Sequence, residues 1–166
     1  MSVEEQIQPQ GQAAMQSLSD VASKSWFEYP VRAYPQHTDY AGVVWHGTYI
    51  AWMEAARIEC LRTLGIGYAD LVTLGCELPV VDLSIRYHRF LRMGMMAVVR
   101  TRLLGFEGVR INWDYQIQSQ DAQELYVTAK VTLVAVDREK GKILRQLPAT
   151  VQDVLARLSA AGNRSR

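Results

Sequence analysis

Residues 49–64 read YIAWMEAARIECLRTL, and this stretch decides the fold of the chain. It contains neither Pro nor Gly, it is rich in residues that favour helices, and Gly65 follows it as a stop signal. The segment therefore predicts one long helix. Polar side chains such as Glu54 and Arg57 are few, and apolar residues occupy most of the helix surface. A helix that is apolar nearly all round has to be covered by other structure.

The apolar period changes to two in the second half of the chain. Residues 109–117 alternate without interruption, with apolar residues at the odd positions and polar residues at the even ones. Such alternation is typical of antiparallel strands with one buried and one exposed face. Further strand-like segments are residues 26–34, 78–87, 97–104 and 125–136. The sequence thus predicts an α+β fold in which an antiparallel sheet of five to six strands curls around the long helix.

The 166 residues are enough for one domain. Residues 1–24 are rich in Gln, Ser and Ala and contain no aromatic side chain, so we expect an N-terminal tail or a short helix there. We expect residues 25–160 to form a single domain that includes a C-terminal helix over residues 151–158. Residues 161–166 are expected to be a polar C-terminal tail.

The charge of the chain argues against several classes of partner. Lys plus Arg number 18 and Asp plus Glu 17, which gives a formal net charge of +1. A nearly neutral protein has no general attraction to nucleic acids or anionic membranes. The N-terminus lacks the apolar core of a signal peptide, and no apolar run approaches the ~18 residues of a membrane helix. We therefore expect a cytoplasmic protein with no nucleic-acid partner and no membrane span.

Several catalytic motifs are missing from the sequence. It contains no P-loop, no Gly-x-Ser-x-Gly elbow and no His-Glu-x-x-His pair. Its histidines and cysteines do not show a zinc-binding spacing, so we expect no metal. Cys60 lies within the predicted helix, which favours a place in the core over the role of a nucleophile.

Residues 38–49, which read TDYAGVVWHGTY, combine features that carbonyl chemistry needs. Asp39 supplies a carboxylate, Gly42 permits a turn with positive φ, and the chain enters the long helix near His46. The first amides of a helix have no partner within it and can bind an oxyanion that develops on a carbonyl. A carboxylate that faces the same carbonyl can attack it or activate a water. From the spacing alone, the interpretation of Asp39 as an ordinary turn or capping residue is favoured over a catalytic role.

The motif DxxGVVWHxxY over residues 39–49, followed by EAAR at residues 54–57, resembles that of the hotdog-fold acyl-CoA thioesterases. It is most similar to the 4-hydroxybenzoyl-CoA thioesterase-like branch, and the resemblance covers roughly residues 29–133. It implies a hotdog fold, in which the sheet wraps the helix and two subunits pair to form one continuous sheet. It also implies hydrolysis of an acyl-CoA or acyl carrier protein thioester to a free carboxylic acid and a thiol.

The resemblance further implies roles for residues of the motif. The family's loop aspartate corresponds to Asp39, which either attacks the carbonyl or activates water, and the helix amide that polarises the carbonyl lies near His46. The His46 side chain contacts substrate or holds Asp39 and the helix entry in place, and a partly buried capping group is the alternative for it. Tyr49 lines the acyl pocket or belongs to the core. The expected catalytic residues are Asp39 and His46, and the expected oxyanion and substrate-binding residues are Gly42, Val44, Trp45, Gly47 and Tyr49.

A basic cluster follows the second predicted strand. Arg86, Arg89 and Arg92 carry guanidinium groups that suit the phosphates of coenzyme A. We expect CoA phosphate contacts from these residues, with a solvated charged surface as the alternative. Glu54 is interpreted as the ion-pair partner of Arg57.

We therefore predict an acyl-CoA thioesterase, with coenzyme A as part of the substrate and no further cofactor. The alternative is a non-catalytic acyl-CoA binding or sensing module with the same fold. A hotdog dehydratase is disfavoured because its own motif, a His with an acidic partner on the helix, is missing. Since a sheet with open edges needs a partner, we expect a homodimer or homotetramer. The sequence leaves open whether the acyl group is aromatic or fatty.

Overall fold

The computed structural model describes residues 26–162. The predicted N-terminal tail or helix at residues 1–24 and residues 163–166 lie outside the described residues. The strands are β1 (Phe27–Arg32), β2 (Cys76–Glu77), β3 (Val80–Tyr87), β4 (Met96–Glu107), β5 (Arg110–Gln118), β6 (Leu125–Val134) and β7 (Val136–Asp137). The helices are α1 (His46–Thr63), α2 (Tyr68–Thr73) and α3 (Ala149–Gly162), and a 3₁₀ turn covers Pro35–His37.

Five strands form one antiparallel sheet in the order β1-β4-β5-β6-β3, and β2 pairs separately with β7. The predicted antiparallel sheet is confirmed. Strand β5 has one buried face and one face turned toward solvent, as its alternation predicts: the odd positions are buried and the even positions are partly or fully exposed. The buried side chains of β5 are Ile111, Trp113, Tyr115 and Ile117. They contribute to the same core cluster as the apolar side of α1.

Helix α1 begins at His46, three residues before the predicted apolar run. Its buried side chains are Thr48, Tyr49, Trp52, Met53, Ala56, Arg57, Cys60 and Leu61. The opposite side is exposed along a stripe at helical spacing that includes Ala51, Glu54 and Ile58. The sheet therefore covers one side of the helix, and within the described part of a single chain the other side stays open.

Strand β3 is an edge strand with an exposed apolar face. From Leu83 onward its odd positions lie opposite buried residues of β6, for example Leu83 opposite Val131, so they point to the same side of the sheet as α1. Even so, Leu83 is 36% exposed and Tyr87 42%. An edge of this kind pairs readily with another strand.

The core on the inner face of the sheet provides a test of the packing. Ile117 is fully buried in β5, whereas Ile143 is 64% exposed. Removing a buried isoleucine side chain leaves a cavity, so Ile117→Ala should lower the free energy of unfolding by about 2–5 kcal/mol. Ile143→Ala should change it by less than about 0.5 kcal/mol. Urea unfolding of the two variants measures the difference, and equal losses would contradict this placement of Ile117.

Candidate active site

The Asp39 loop is closed by hydrogen bonds between its own backbone groups, and one of its amides binds one carboxylate oxygen of Asp39. The Asp39 amide donates to the Val43 carbonyl at 2.9 Å, and the Gly42 amide donates to the Asp39 carbonyl at 3.1 Å. The Ala41 amide donates to Asp39 Oδ1 at 2.8 Å. Gly42 has a φ of +75°, which confirms the predicted positive-φ turn. Within the described residues, Oδ2 of the partly exposed Asp39 has no hydrogen-bond partner.

A second segment, residues 91–95, supports this loop from the side. The Val44 amide donates to the Leu91 carbonyl at 2.7 Å, and the Met93 amide donates to the Gly42 carbonyl at 3.1 Å. Val43 also forms an isolated bridge with Arg92. Because its amide is already bonded, Val44 does not supply an oxyanion donor in this arrangement.

Helix α1 is anchored at its start without a side-chain cap. The Trp45 amide and the Thr48 hydroxyl both donate to the His37 carbonyl, at 2.9 and 3.0 Å. The Tyr87 hydroxyl donates to the His46 carbonyl at 2.9 Å. The Thr48 amide bonds to the Trp45 carbonyl, so the first two amides of the helix, those of His46 and Gly47, are left without a partner within it.

Two residues of this anchor were missed by the sequence reasoning. His37 belongs to a polar loop and is expected from the sequence to be solvated, but it is partly buried: its Nδ1 accepts from the Tyr34 amide at 3.0 Å and its ring contacts that of Trp52 edge-on at 5.3 Å. Tyr87 belongs to a distant strand, so no local pattern connects it with the helix start.

Trp45 lies directly against the backbone of Gly47. A Cβ added at Gly47 would lie 2.2 Å from a ring carbon of Trp45, which only glycine avoids. The indole is 52% exposed and its ring centroid lies 4.8 Å from that of His46. The His46 side chain is itself exposed, and the helix start has no side-chain cap hydrogen bond, so the capping interpretation of His46 finds no support. Both rings instead form an exposed surface beside the free amides.

Tyr49 is a core residue that holds the supporting segment. It is 3% exposed, and its hydroxyl accepts from the Leu91 amide at 3.2 Å. Burial raises the pKa of Tyr49, so the hydroxyl stays protonated. Tyr49 thus reaches the Asp39 loop through Leu91, which agrees with the core alternative considered for it.

The three arginines of the basic cluster separate in the structure. Arg86 lies at an even position of β3, on the outer face of the sheet, and Arg89 pairs with Glu124 at 3.1 Å. Arg92 is exposed in the segment that bridges Val43. Of the three, only Arg92 lies beside the Asp39 loop.

The part of the chain that the structure describes has no cluster of three or more His, Cys, Asp or Glu side chains arranged to hold a metal ion. Over the same residues, no helix is long and apolar enough to cross a membrane.

The contact between Trp45 and Gly47 can be tested by a double-mutant cycle. In a Trp45→Ala background, Gly47→Ala should raise the free energy of unfolding by about 0.5–1 kcal/mol, because alanine favours the helix. With Trp45 present, the added Cβ displaces the indole and this gain should disappear. Urea unfolding of the four proteins measures the coupling. The same gain in both backgrounds would show that the indole does not pack on Gly47.

The thiols should be unreactive in the folded protein. Burial raises the pKa of Cys60 to about 12, and burial also raises the pKa of Cys76. The thiolate is the reactive form, so at pH 8 neither cysteine should react with Ellman's reagent until the protein is unfolded. Rapid labelling of the native protein would reopen the nucleophile interpretation of Cys60.

Comparison with known proteins identifies the family. Residues 34–158 match a family model described as the thioesterase-like superfamily. The chain is 50% identical over 152 residues to sll0410 of Synechocystis, which is provisionally named an esterase, with 90% of this chain and 92% of that protein covered. It is 30% identical over 125 residues to the acyl-CoA thioester hydrolase YbgC of Escherichia coli, with 75% of this chain and 92% of that protein covered.

A solved structure agrees with these relatives. The fold superposes on a DHNA-CoA thioesterase from Staphylococcus aureus with a TM-score of 0.78 and 25% sequence identity, over 85% of this chain and 95% of that one. The helix, the antiparallel sheet and the sequence relatives all confirm the predicted resemblance. The chain therefore belongs to the thioesterase-like superfamily: it has the hotdog fold and is an acyl-CoA thioesterase.

Proposed function

We propose that Asp39 and the free amides at the start of α1 together hydrolyse the thioester. The observation that carries this proposal is which atoms of Asp39 and of the α1 start are already hydrogen-bonded and which are not. One oxygen of Asp39 is held by the Ala41 amide and the other has no partner among the described residues. The loop and the helix start belong to one short segment that the His37 and Leu91 carbonyls hold in place.

In the proposed reaction, the thioester carbonyl oxygen accepts hydrogen bonds from the His46 and Gly47 amides. Negative charge that develops on this oxygen is stabilised there by the amides and by the helix dipole. Asp39 Oδ2 either attacks the carbonyl carbon or removes a proton from a water that attacks it. If Asp39 attacks, the carbon–sulfur bond breaks to give a mixed anhydride on Asp39 and a thiolate, and a water then hydrolyses the anhydride to the free acid and supplies the proton of the thiol. If water attacks, the proton that Asp39 takes from it passes to the leaving thiolate as the carbon–sulfur bond breaks. Both routes use the same carboxylate oxygen.

The surroundings of these groups suggest how the substrate lies. Trp45 and His46 present exposed rings beside the amides, and we assign to them contact with the thioester end of the substrate. Gly42 and Gly47 give the backbone its turn and its close approach to the indole. Arg92, exposed beside the Asp39 loop, is the proposed contact for a CoA phosphate. We propose coenzyme A as the carrier, in line with the name of the Escherichia coli relative.

Asp39→Asn tests the carboxylate. The amide side chain keeps the size of Asp39 and can still accept from the Ala41 amide, but it is neither a nucleophile nor a base. We expect the variant to fold and to lose about 10²–10⁴-fold in kcat. Thiol release from a panel of acyl-CoAs, aromatic and straight-chain, measures the loss.

Asp153→Asn is the matched control, since Asp153 is an exposed carboxylate on α3. It should behave as the wild type. Full activity of Asp39→Asn would remove the carboxylate from the mechanism. Tight acyl-CoA binding without hydrolysis by the wild type would favour the sensing module instead.

We further propose that two copies pair through β3. This edge strand carries exposed apolar side chains on the face of the sheet that bears α1, and the exposed stripe of that helix includes Ala51, Glu54 and Ile58. Antiparallel pairing of β3 with its copy joins the two sheets and covers both features. The outer face of β3 presents Asp82, Ser84 and Arg86 in that order. A pairing centred on Ser84 places each Asp82 opposite Arg86 of the partner subunit, and opposite charges across a strand pair are stabilising.

A charge exchange tests this register. Asp82→Lys or Arg86→Glu alone places like charges opposite one another twice in the dimer, so each should raise the dissociation constant about tenfold or more. The double variant with both changes restores opposite pairs and should dimerise as the wild type. Sedimentation at a series of concentrations measures the constants.

Arg110→Glu, on the exposed end of β5, controls for the change in net charge. A double variant that dissociates as readily as either single one would contradict the register.

A further inference from the structure

His37 occupies the third position of the 3₁₀ turn Pro35–His37, and its imidazole completes the turn as a hydrogen-bond acceptor. Its Nδ1 accepts from the Tyr34 amide at 3.0 Å, and its own amide donates to the Tyr34 carbonyl at 2.9 Å. A side chain in the third position that accepts from the amide before the helix is one half of a capping box, and Glu or Gln usually supplies it. In this chain an imidazole, which loses its acceptor on protonation, holds that position.

The same residue fixes the start of α1 through its backbone. The His37 carbonyl accepts from the Trp45 amide at 2.9 Å and from the Thr48 hydroxyl at 3.0 Å. Trp45 directly precedes α1, and the amides of His46 and Gly47, which have no partner within the helix, follow it. The side chain of His37 therefore closes the turn, and its carbonyl links the turn to the helix start.

The hydrogen bond to Tyr34 requires the neutral form of the imidazole. A backbone amide can only donate, so Nδ1 of His37 must present its lone pair, and the ring proton is on Nε2. In the charged form both ring nitrogens carry protons, and two N–H groups would then face each other. Protonation therefore removes the bond that closes the turn.

Among the described residues, the surroundings of the ring offer the protonated form no salt bridge, because His37 forms no ion pair there. In its own segment the titratable neighbours are Tyr34, whose ring centroid lies 5.7 Å away, and Asp39, whose Oδ1 accepts from the Ala41 amide. From α1, the uncharged indole of Trp52 faces the ring edge-on at 5.3 Å. The charged imidazole thus loses a hydrogen bond and gains no ion pair in exchange.

We infer that His37 is a positioning residue whose neutral side chain holds the start of α1 in place for hydrolysis, and that protonation of this side chain slows the reaction. Imidazole is the side chain whose charge ordinarily changes between pH 5 and 8. Because the bond to Tyr34 belongs to the neutral form, the anchor is complete at the upper end of this range and weakens as the pH falls. The inference rests on the proposed function, since it concerns the regulation of that same site.

His37→Asn tests the dependence on pH. Oδ1 of asparagine is attached to the side chain as Nδ1 of histidine is, so it can accept from the Tyr34 amide, but it does not titrate. The variant should match the kcat of the wild type at pH 7.5 and exceed it about three- to tenfold at pH 5, the value of one hydrogen bond. The loss of thioester absorbance of benzoyl-CoA and octanoyl-CoA measures the rates. An equal decline of both proteins overturns the inference.

His88→Asn is the matched control, because it makes the same change at an exposed histidine whose Nε2 lies 2.8 Å from Thr128 Oγ1. Asp39 and His46 are unchanged in all three proteins, so any contribution they make to the pH profile cancels in the comparison. His88→Asn should follow the wild-type profile. A profile that shifts as far as that of His37→Asn would show a general effect of removing a histidine and overturns the inference.

His37→Leu separates positioning from substrate binding. It removes the acceptor and keeps an apolar side chain against Trp52, so kcat at pH 7.5 should fall about tenfold through misplacement of the helix start, while KM stays within about twofold. His37→Asn should retain kcat, which a role of the ring in packing alone does not predict. A His37→Leu variant with the kcat of the wild type overturns the inference. If this variant does not fold, the two pH values of His37→Asn decide.

Hydrogen exchange separates this inference from the proposed catalysis. The protection factor of the Trp45 amide, which donates to the His37 carbonyl, measures the anchor without any substrate. Between pH 7.5 and pH 5 it should fall about three- to tenfold in the wild type and stay constant in His37→Asn. A wild type that hydrolyses no thioester but shows this difference overturns the proposed mechanism and supports the anchor. Active enzyme with the same protection in both proteins overturns the role of His37 and leaves the mechanism intact.

Discussion

The start of α1 must be held firmly while its first amides stay free, and the site depends on this constraint. Side-chain capping, the usual solution at a helix N-terminus, would compete for the Gly47 amide, because an N-cap side chain accepts from the second or third amide of the helix. Here the helix is held through other atoms: the Trp45 amide and the Thr48 hydroxyl bond to the His37 carbonyl, and Tyr87 bonds to the His46 carbonyl. The anchor therefore fixes the position of the helix without occupying the donors of His46 and Gly47.

A single chain buries only part of its apolar side-chain surface. The inner face of the sheet covers one side of α1, and the stripe with Ile58 stays exposed beside an edge strand whose Leu83 is also partly exposed. Both features lie along β3, and one end of that strand meets the helix start through Tyr87. The strand through which we propose that two copies pair thus also contacts the start of α1, so the proposed assembly and the proposed site share one structural element.

Two residues of α1 break the rules for an ordinary buried helix. Gly47 lowers helix propensity but permits the indole of Trp45 to lie on the backbone. Arg57 places a charge in the core, where its Nη1 donates to the Tyr115 hydroxyl. Departures of this kind from local preference are expected where a protein recognises a ligand, and both lie on the helix to which we assign the substrate.

Much of the architecture was predictable from local pattern. The helix over residues 49–64 and the alternation over residues 109–117 follow from side-chain period, and the positive φ of Gly42 follows from residue type. These properties depend on neighbours in sequence. Local pattern also indicated that Asp39 and the helix start belong to one unit, because few residues separate them.

Only the tertiary structure decided which atoms of that unit are occupied. The bond of Val44 to Leu91, the anchoring by His37 and Tyr87, and the burial of Arg57 against Tyr115 join residues that are distant in sequence or face each other only after folding. The spacing of apolar side chains shows which face of a helix or strand is apolar. It does not show which distant segment supplies the hydrogen-bond partner of a given residue. The sequence by itself therefore determined the helix, the sheet and the family, and the packing of distant segments decided which donors and which carboxylate oxygen have no partner among the described residues.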